Sequence, residues 1–245
     1  MTIIAIDGSQ RSAARVAGLT FLLTTAVVVF VNFAIHERLF VAGDAAQTAR
    51  NILAHEGLFR VGVACDLIYC AGLIVLIAAL YVILKPAGHG LALLAAFWRL
   101  LYALTWVLMT LNLFTALRLV KAADYLRVFE ADRLQSLARL ELSARFDAYY
   151  VGLLFYGLSS ALCGCLFFKS RYVPRALGAF GVVSSVWCAA CTFAFIVSPA
   201  FAGTVNLWWF DSPMGIFEIV TGLWLLLKGL GARGRDGLSE PGAAS

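Results

Sequence analysis

The sequence predicts an all-α polytopic membrane protein: six transmembrane helices, both termini cytoplasmic, and short helices in the outer loops. Three observations carry this reading. Of 245 residues, 62% are hydrophobic and 13% charged, and the mean hydropathy is +0.89, whereas a soluble domain is nearer half apolar and a quarter charged. The apolar residues fall into six runs of roughly the 20 residues a crossing needs. They must be helices, because hydrocarbon offers no partner for exposed backbone amides, and no alternating pattern suggests a barrel strand. The basic residues of one set of links also have few acids nearby, whereas those of the other set are interleaved with acids.

Met1–Gln10 is polar and contains Asp7, and the run after it, Ala14–Ile35, is long enough to span. It therefore reads as a first span rather than a removable signal peptide. In the first outer link Asp44 is placed to cap a helix, with Gln47 three residues on to complete a capping box. The spacing predicts a short helix from Ala45 to His55, stopped at Gly57. Span two is Leu58–Leu84, and Lys85–Gly90 turns the chain tightly into span three, Leu91–Leu117. The second outer link, Ala122–Leu140, places Leu126, Phe129, Leu134, Leu137 and Leu140 on one helical face. Such a helix is expected to lie flat on the membrane or to cap the bundle. Span four, Phe146–Phe168, joins span five, Ala176–Ser198, through Lys169–Arg175. The last outer loop, Pro199–Ser212, has no Lys or Arg, and Trp208 and Trp209 suit the interfacial belt. Ser212 and Pro213 read as a helix start, opening span six at Met214–Leu227. Small residues at Ala14 and Gly18, and at Gly178 and Gly181, permit close helix contact. The chain thus divides into a cytoplasmic segment 1–13, a six-helix domain 14–230, and a Gly- and charge-rich cytoplasmic tail 231–245 expected to be disordered.

One set of links carries Arg11, Arg15, Lys85, Lys169, Arg171, Arg175, Lys228, Arg233 and Arg235 with few acids. The other interleaves its bases with Glu37, Asp44, Glu56, Asp124, Glu130, Asp132 and Glu141. The bias of short loops puts the first set, and both termini, in the cytoplasm. The net charge of +5 and pI near 9.0 then describe a rim that meets anionic headgroups. The bases are spread over separate loops rather than one stripe, which argues against nucleic acid. All six cysteines fall within spans, so no disulfide framework is implied.

The blocks Leu58-Phe-Arg-Val-Gly-Val-Ala-Cys-Asp-Leu, Ala79-Leu-Tyr-Val-Ile-Leu-Lys-Pro, Tyr172-Val-Pro-Arg-Ala-Leu and Pro213-Met-Gly-Ile-Phe-Glu resemble a bacterial family of membrane proteins. It is catalogued as domain of unknown function four-three-eight-six. The resemblance runs from about Arg15 to Leu230 and implies a multi-pass protein of the bacterial inner (plasma) membrane. It implies no activity and assigns no site residue.

The chemistry must therefore be sought in polar residues inside the spans, each of which costs a few kcal/mol unless it has a partner or a purpose. They are Asn32, Arg60, Asp66, Arg99, Asn112, Asp147 and Glu218. At about 1.5 Å per residue, Asp66 lies roughly 12 Å deep from the outer side and Glu218 roughly 6 Å. Residues equidistant from the turn near Gly88 share a level, which sets Asp66 beside Thr110 and Asn112, and Arg60 beside Ala116. By the same count Arg99 stands apart, roughly 16 Å from Asp66 along the axis. The ligand-binding candidates are Asp66, Glu218, Arg60, Asn112, Asn32, Tyr69 and Arg99. The first two are expected to bound a polar cavity open to the outside, where a carboxylate is a candidate for proton exchange. The competing expectation is a structural network in which Arg60 answers a carboxylate. Arg99 is expected to snorkel toward inner headgroups, or to hold an anionic lipid or substrate group.

His36 and His55, with Glu37, Asp44 and Glu56 nearby, lack a recognised zinc spacing and read better as interfacial residues. Cys188-Ala-Ala-Cys191 has the redox spacing, but it sits mid-span among apolar residues where a thiolate is disfavoured. No phosphate loop, nucleophile elbow or haem-ligand pair is present. No metal and no cofactor are expected, and nothing recommends an enzyme. A small-molecule or lipid binding or transport protein with an outward-facing cavity heads the functional classes. A membrane-embedded enzyme, including thiol redox, and a non-catalytic sensor or scaffold subunit follow. Membrane lipids are the expected partners, with a small-molecule ligand, a second copy of the chain or another membrane protein as further candidates.

Overall fold

The computed structural model describes residues 6–41, 44–122, 128–206 and 208–231. Its elements are helices: α1 (Gly8–Phe30), continued by a π-helical turn (Val31–His36) and the short α2 (Glu37–Leu39), then α3 (Ala45–Ala54), α4 (Glu56–Leu84), α5 (His89–Val120), α6 (Ala131–Ser170), α7 (Arg175–Val197), a 3-10 turn (Pro199–Gly203) and α8 (Trp208–Leu227). Six of these stretches, those built on α1, α4, α5, α6, α7 and α8, are long and apolar enough to cross a membrane. Leu126 and the tail from 232 onward lie outside the described residues.

Each span packs on its neighbours in sequence, and α8 returns to pack on α1. The order α1–α4–α5–α6–α7–α8 is therefore a closed ring. In hydrocarbon such contacts cannot rely on water expulsion, so backbone proximity through small residues does much of the work. At the closing seam, a Cβ on Gly18 would lie 2.7 Å from the Gly222 carbonyl oxygen and 2.8 Å from Leu226. Along α6–α7, a Cβ on Gly164 or Gly178 would meet backbone atoms at 2.9 Å. Gly181 lies under the Phe217 ring of α8, at 2.5 Å from where its Cβ would be. The small-residue pairs expected from sequence are thus contact points. At the end bearing both termini, Gln10 caps α1 reciprocally with Asp7. Its side chain then donates to the Ile83 carbonyl and to the Tyr172 hydroxyl, and the Gly231 amide donates to the Tyr172 carbonyl. First and last spans are fastened at one place.

Three boundaries differ from the sequence reading. The helix capped by Asp44 ends at Ala54, and the break falls at His55 (φ −125°, ψ 41°), while Gly57 lies inside α4. The segment expected to lie flat on the membrane is, from Ala131, the start of α6. No glycine or proline occurs between Ala131 and Val151, so nothing interrupts a helix of 40 residues, about 60 Å long. Its apolar stripe divides: Leu134 and Ala138 pack on Leu119 of α5, whereas Phe129, Leu137 and Leu140 are exposed.

The third difference matters most. Span six begins at Trp208, so Pro213 sits inside α8 rather than opening it. A residue with an amide there would bond the Trp209 carbonyl. That carbonyl instead accepts the Trp187 indole N–H from α7 at 2.5 Å.

Gly18→Leu should force the α1–α8 seam apart and cost about 1–3 kcal/mol. The expected result is a lowered unfolding temperature in lipid nanodiscs. Gly57→Ala, where nothing lies within 4 Å of the new Cβ, should leave it unchanged.

Candidate functional site

The residues nominated from sequence separate into two buried charge clusters and a set of side chains outside them, Arg60, Asn32 and Asp147 among them exposed. The first cluster lies at the centre of the ring. Arg99 of α5 is 2% exposed and its Nη1 meets Glu218 Oε1 of α8, across the ring, at 3.0 Å. Arg99 Nη2 donates to Ser160 at 2.5 Å and Nε to Ser159 at 3.4 Å. Ser159 in turn donates to the Ala95 carbonyl at 2.7 Å. The guanidinium also lies 5.2 Å from the centroid of the Tyr156 ring. Its charge is thus met by a carboxylate, two hydroxyls and an aromatic face. Breaking such a pair leaves a bare charge in a medium that cannot solvate it.

This corrects the expectation that Arg99 stands apart and snorkels. Counted from Met214, Glu218 is four residues deep. Counted from the true start at Trp208 it is ten, about 15 Å, and Arg99 is likewise ten residues into α5 from the opposite end. Because α8 is 20 residues long, Glu218 is also nine residues from its Leu227 end, which lies on the same side as the His89 end of α5, and that brings the two to one level. The cavity reaching Arg99, between α4, α5 and α6, measures about 10 Å3, room for about one water.

Toward the end remote from the termini, aromatic hydroxyls continue the interior. Tyr69 of α4 hydrogen-bonds Tyr102 of α5 at 3.1 Å, and Tyr102 stacks on Tyr156 of α6 with centroids 4.7 Å apart. Farther out, Tyr149 of α6 donates to the Asp211 carboxylate of α8.

The second cluster occupies that far half. Asp66 of α4 is 4% exposed and Arg145 of α6 is 9% exposed. Arg145 reaches His36, and Asp66 lies one turn along α4 from Gly62, which meets Ile35 of the same π-helical turn, yet among the described residues no hydrogen bond or ion-pair contact joins Asp66 to Arg145. Arg145 Nη2 lies 3.0 Å from His36 Nδ1 and 3.4 Å from His36 Nε2; a guanidinium can only donate, so the imidazole accepts from it. Its guanidinium lies 5.1 Å from the Phe40 ring centroid and 5.8 Å from that of Phe146. His36 ends the π-helical turn, which is signed by the Glu37 amide bonding back to the Asn32 carbonyl. Such turns recur at functional sites. Gly62, one turn before Asp66, brings α4 against this turn: a Cβ there would lie 3.2 Å from Ile35.

The other candidates join neither cluster's charges. Arg60 is exposed and pairs with Glu56 at 2.8 Å, which also holds Lys121 at 2.9 Å; it does not answer Asp66. Asn32 is exposed, with its Oδ1 3.2 Å from His36 Nδ1. Asn112 is half-buried and has no hydrogen bond to Asp66; Asp147 is exposed. Glu218 and Asp66 therefore do not bound one pocket. Cys188 and Cys191 are free and buried on α7.

Sequence reasoning missed Arg145 because the expected span began at Phe146, one residue later. The uninterrupted helical run before it was the available signal. His36 was weighed as a metal ligand rather than as a partner for an arginine.

Glu218→Ala and Arg99→Ala should each destabilise the protein by about 3–5 kcal/mol, because each leaves a buried charge unanswered. The double change Arg99→Met with Glu218→Met should recover most of that loss. Thermal unfolding in nanodiscs of the two single variants and the double variant measures it.

A family model described as Domain of unknown function (DUF4386) matches residues 16–229. An uncharacterized protein of Archaeoglobus fulgidus is 25% identical over 156 residues, covering 62% of this chain and 73% of that protein. No solved structure matches the chain. Since the family match takes in five spans, most of the first and both charge clusters, this chain belongs to the DUF4386 family, whose function is unknown.

Proposed function

We propose that this is an inner (plasma) membrane protein that binds or transports a small polar molecule or a lipid headgroup, with its site at Asp66, Arg145 and His36. One observation carries the reading. Asp66, one turn from the Gly62 that meets the π-helical turn, and Arg145, held on His36 of the same turn, are buried opposite charges on different helices, and among the described residues no ion pair joins them. The Arg99–Glu218 pair is the internal comparison, because there a buried pair meant only to hold helices together closes to 3.0 Å. Leaving Asp66 and Arg145 apart forgoes that stabilisation, as functional sites tend to do.

The termini are assigned to the cytoplasm. Arg11, Arg15, Lys85, Lys169, Arg171, Arg175 and Lys228 are all exposed at the end where Gln10 and Gly231 meet Tyr172, and short basic links favour the cytoplasmic face. The site then lies in the outer half, as the sequence suggested for Asp66. With the interior this full, entry needs a local opening. The π-helical turn, where the regular ladder is already interrupted, is the place for it.

The test is thermal unfolding of the full-length protein in nanodiscs against a panel of amino acids, amines, organic acids and lipids. A probe present at 100 times its dissociation constant adds about 2.7 kcal/mol, or a shift of roughly 5–10 °C at this chain length. At least one probe should give such a shift in the wild type and lose it in Arg145→Gln. A panel to which wild type, Asp66→Asn and Arg145→Gln respond identically would refute the assignment.

A further inference from the structure

Resting on that reading, we infer that the site between Asp66 and Arg145 takes a small zwitterion, a primary ammonium on Asp66 and an anionic oxyacid group on Arg145. The argument begins with what each group lacks. Asp66, 4% exposed, accepts no hydrogen bond from the described residues. An ionised carboxylate offers about four lone-pair positions, and burial makes leaving them empty expensive. Arg145 has five N–H donors, and the hydrogen bonds described for it reach only His36. Phe40 and Phe146 flank the guanidinium but cannot accept in its plane. That plane is the geometry in which arginine grips a carboxylate or phosphate with two parallel bonds.

A single charged ligand would satisfy one side and trouble the other. An anion on Arg145 would sit in the field of Asp66, and a cation on Asp66 would sit in the field of Arg145. A molecule carrying both charges satisfies both and brings no net charge into a low-dielectric place. The donor–acceptor polarity is also set. An imidazole carries no negative charge in either protonation state, so of Asp66, Arg145 and His36 the anion is Asp66. The ammonium end must go to α4 and the oxyacid end to α6.

Depth adds to the case. Arg145 lies 25 residues from the Ser170 end of α6, about 38 Å along the helix, beyond a hydrocarbon core of about 30 Å. Asp66 lies 18 residues from the Leu84 end of α4, about 27 Å. The cluster thus runs from the headgroup level into the edge of the core. The chemistry fits either a phosphoethanolamine headgroup of the bilayer or a free amino acid from the aqueous side.

The experiment uses the full-length protein in nanodiscs of phosphatidylcholine and phosphatidylglycerol, which contain no primary ammonium. In one arm phosphatidylethanolamine replaces part of the lipid, and retained lipid is counted by native mass spectrometry. In the other arm glycine or glycerophosphoethanolamine is titrated from solution and unfolding temperature is read. A response in the first arm assigns the site to a lipid and in the second to a solute; either supports the inference. The wild type should prefer phosphatidylethanolamine over phosphatidylglycerol, or respond to the soluble zwitterions, by at least tenfold. Asp66→Asn, nearly isosteric and without a charge to bury, should erase that preference while folding normally. Arg145→Lys should weaken both at least tenfold. Equal retention of both lipids that depends on Arg145 but not on Asp66 would overturn the zwitterion while leaving a binding site at the cluster. No response to any primary-ammonium probe in the wild type would also overturn it. Identical behaviour of all three proteins toward every probe, zwitterionic or not, would remove the site itself.

Discussion

The structure depends on one bond between opposite sides of a ring. Packing among neighbouring spans can close a circle, but it does not by itself say how wide the circle is or what fills it. Arg99 and Glu218 answer that from α5 and α8. A guanidinium and a carboxylate at 3.0 Å fix the distance across the ring at its middle, and Ser159 and Ser160 bring α6 into the same knot. In hydrocarbon neither partner has anywhere else to go. The pair therefore selects one arrangement of six apolar helices whose flanks would otherwise pack in several ways, as buried polar groups do when they fix register.

Against that closed pair the outer cluster is legible as something different. The two clusters use the same residue classes at similar burial. One is complete, with charge, hydroxyls and ring all engaged. The other holds its charges apart and has an unusual helical turn beside it. Differences in completeness between chemically similar sites in one molecule are more informative than the presence of either alone, because the same environment governs both.

Much of the fold could be read from the chain. The six apolar runs, the tight basic links, the Asp44 cap and the Gly18 and Gly181 contact points all follow from local rules of length, charge and side-chain size. The continuity of α6 was also readable, since no breaker separates Ala131 from Val151; an imagined flat helix obscured it. What could not be read was azimuth. Depth follows from counting residues, but which way Asp66, Arg99 or Arg145 points depends on how each helix is rotated by its neighbours. A shift of six residues at one boundary, from Met214 to Trp208, was enough to move Glu218 from one partner to another. Pro213 caused it by looking like a helix start, when the Trp187 indole had taken over the carbonyl that proline leaves free.

The seam at Gly18 and Gly222 gives the molecule an unusual freedom. A necklace whose clasp resembles its other links has no obligatory first bead. Gln10 and Gly231 both reach Tyr172, so a short peptide could bridge them, and the chain could be reopened at the turn between α4 and α5. The genetic order of the helices would then be rotated while every contact between neighbours was kept. What is inherited in this fold is a cyclic order, and the gene's starting point is only one way of writing it down.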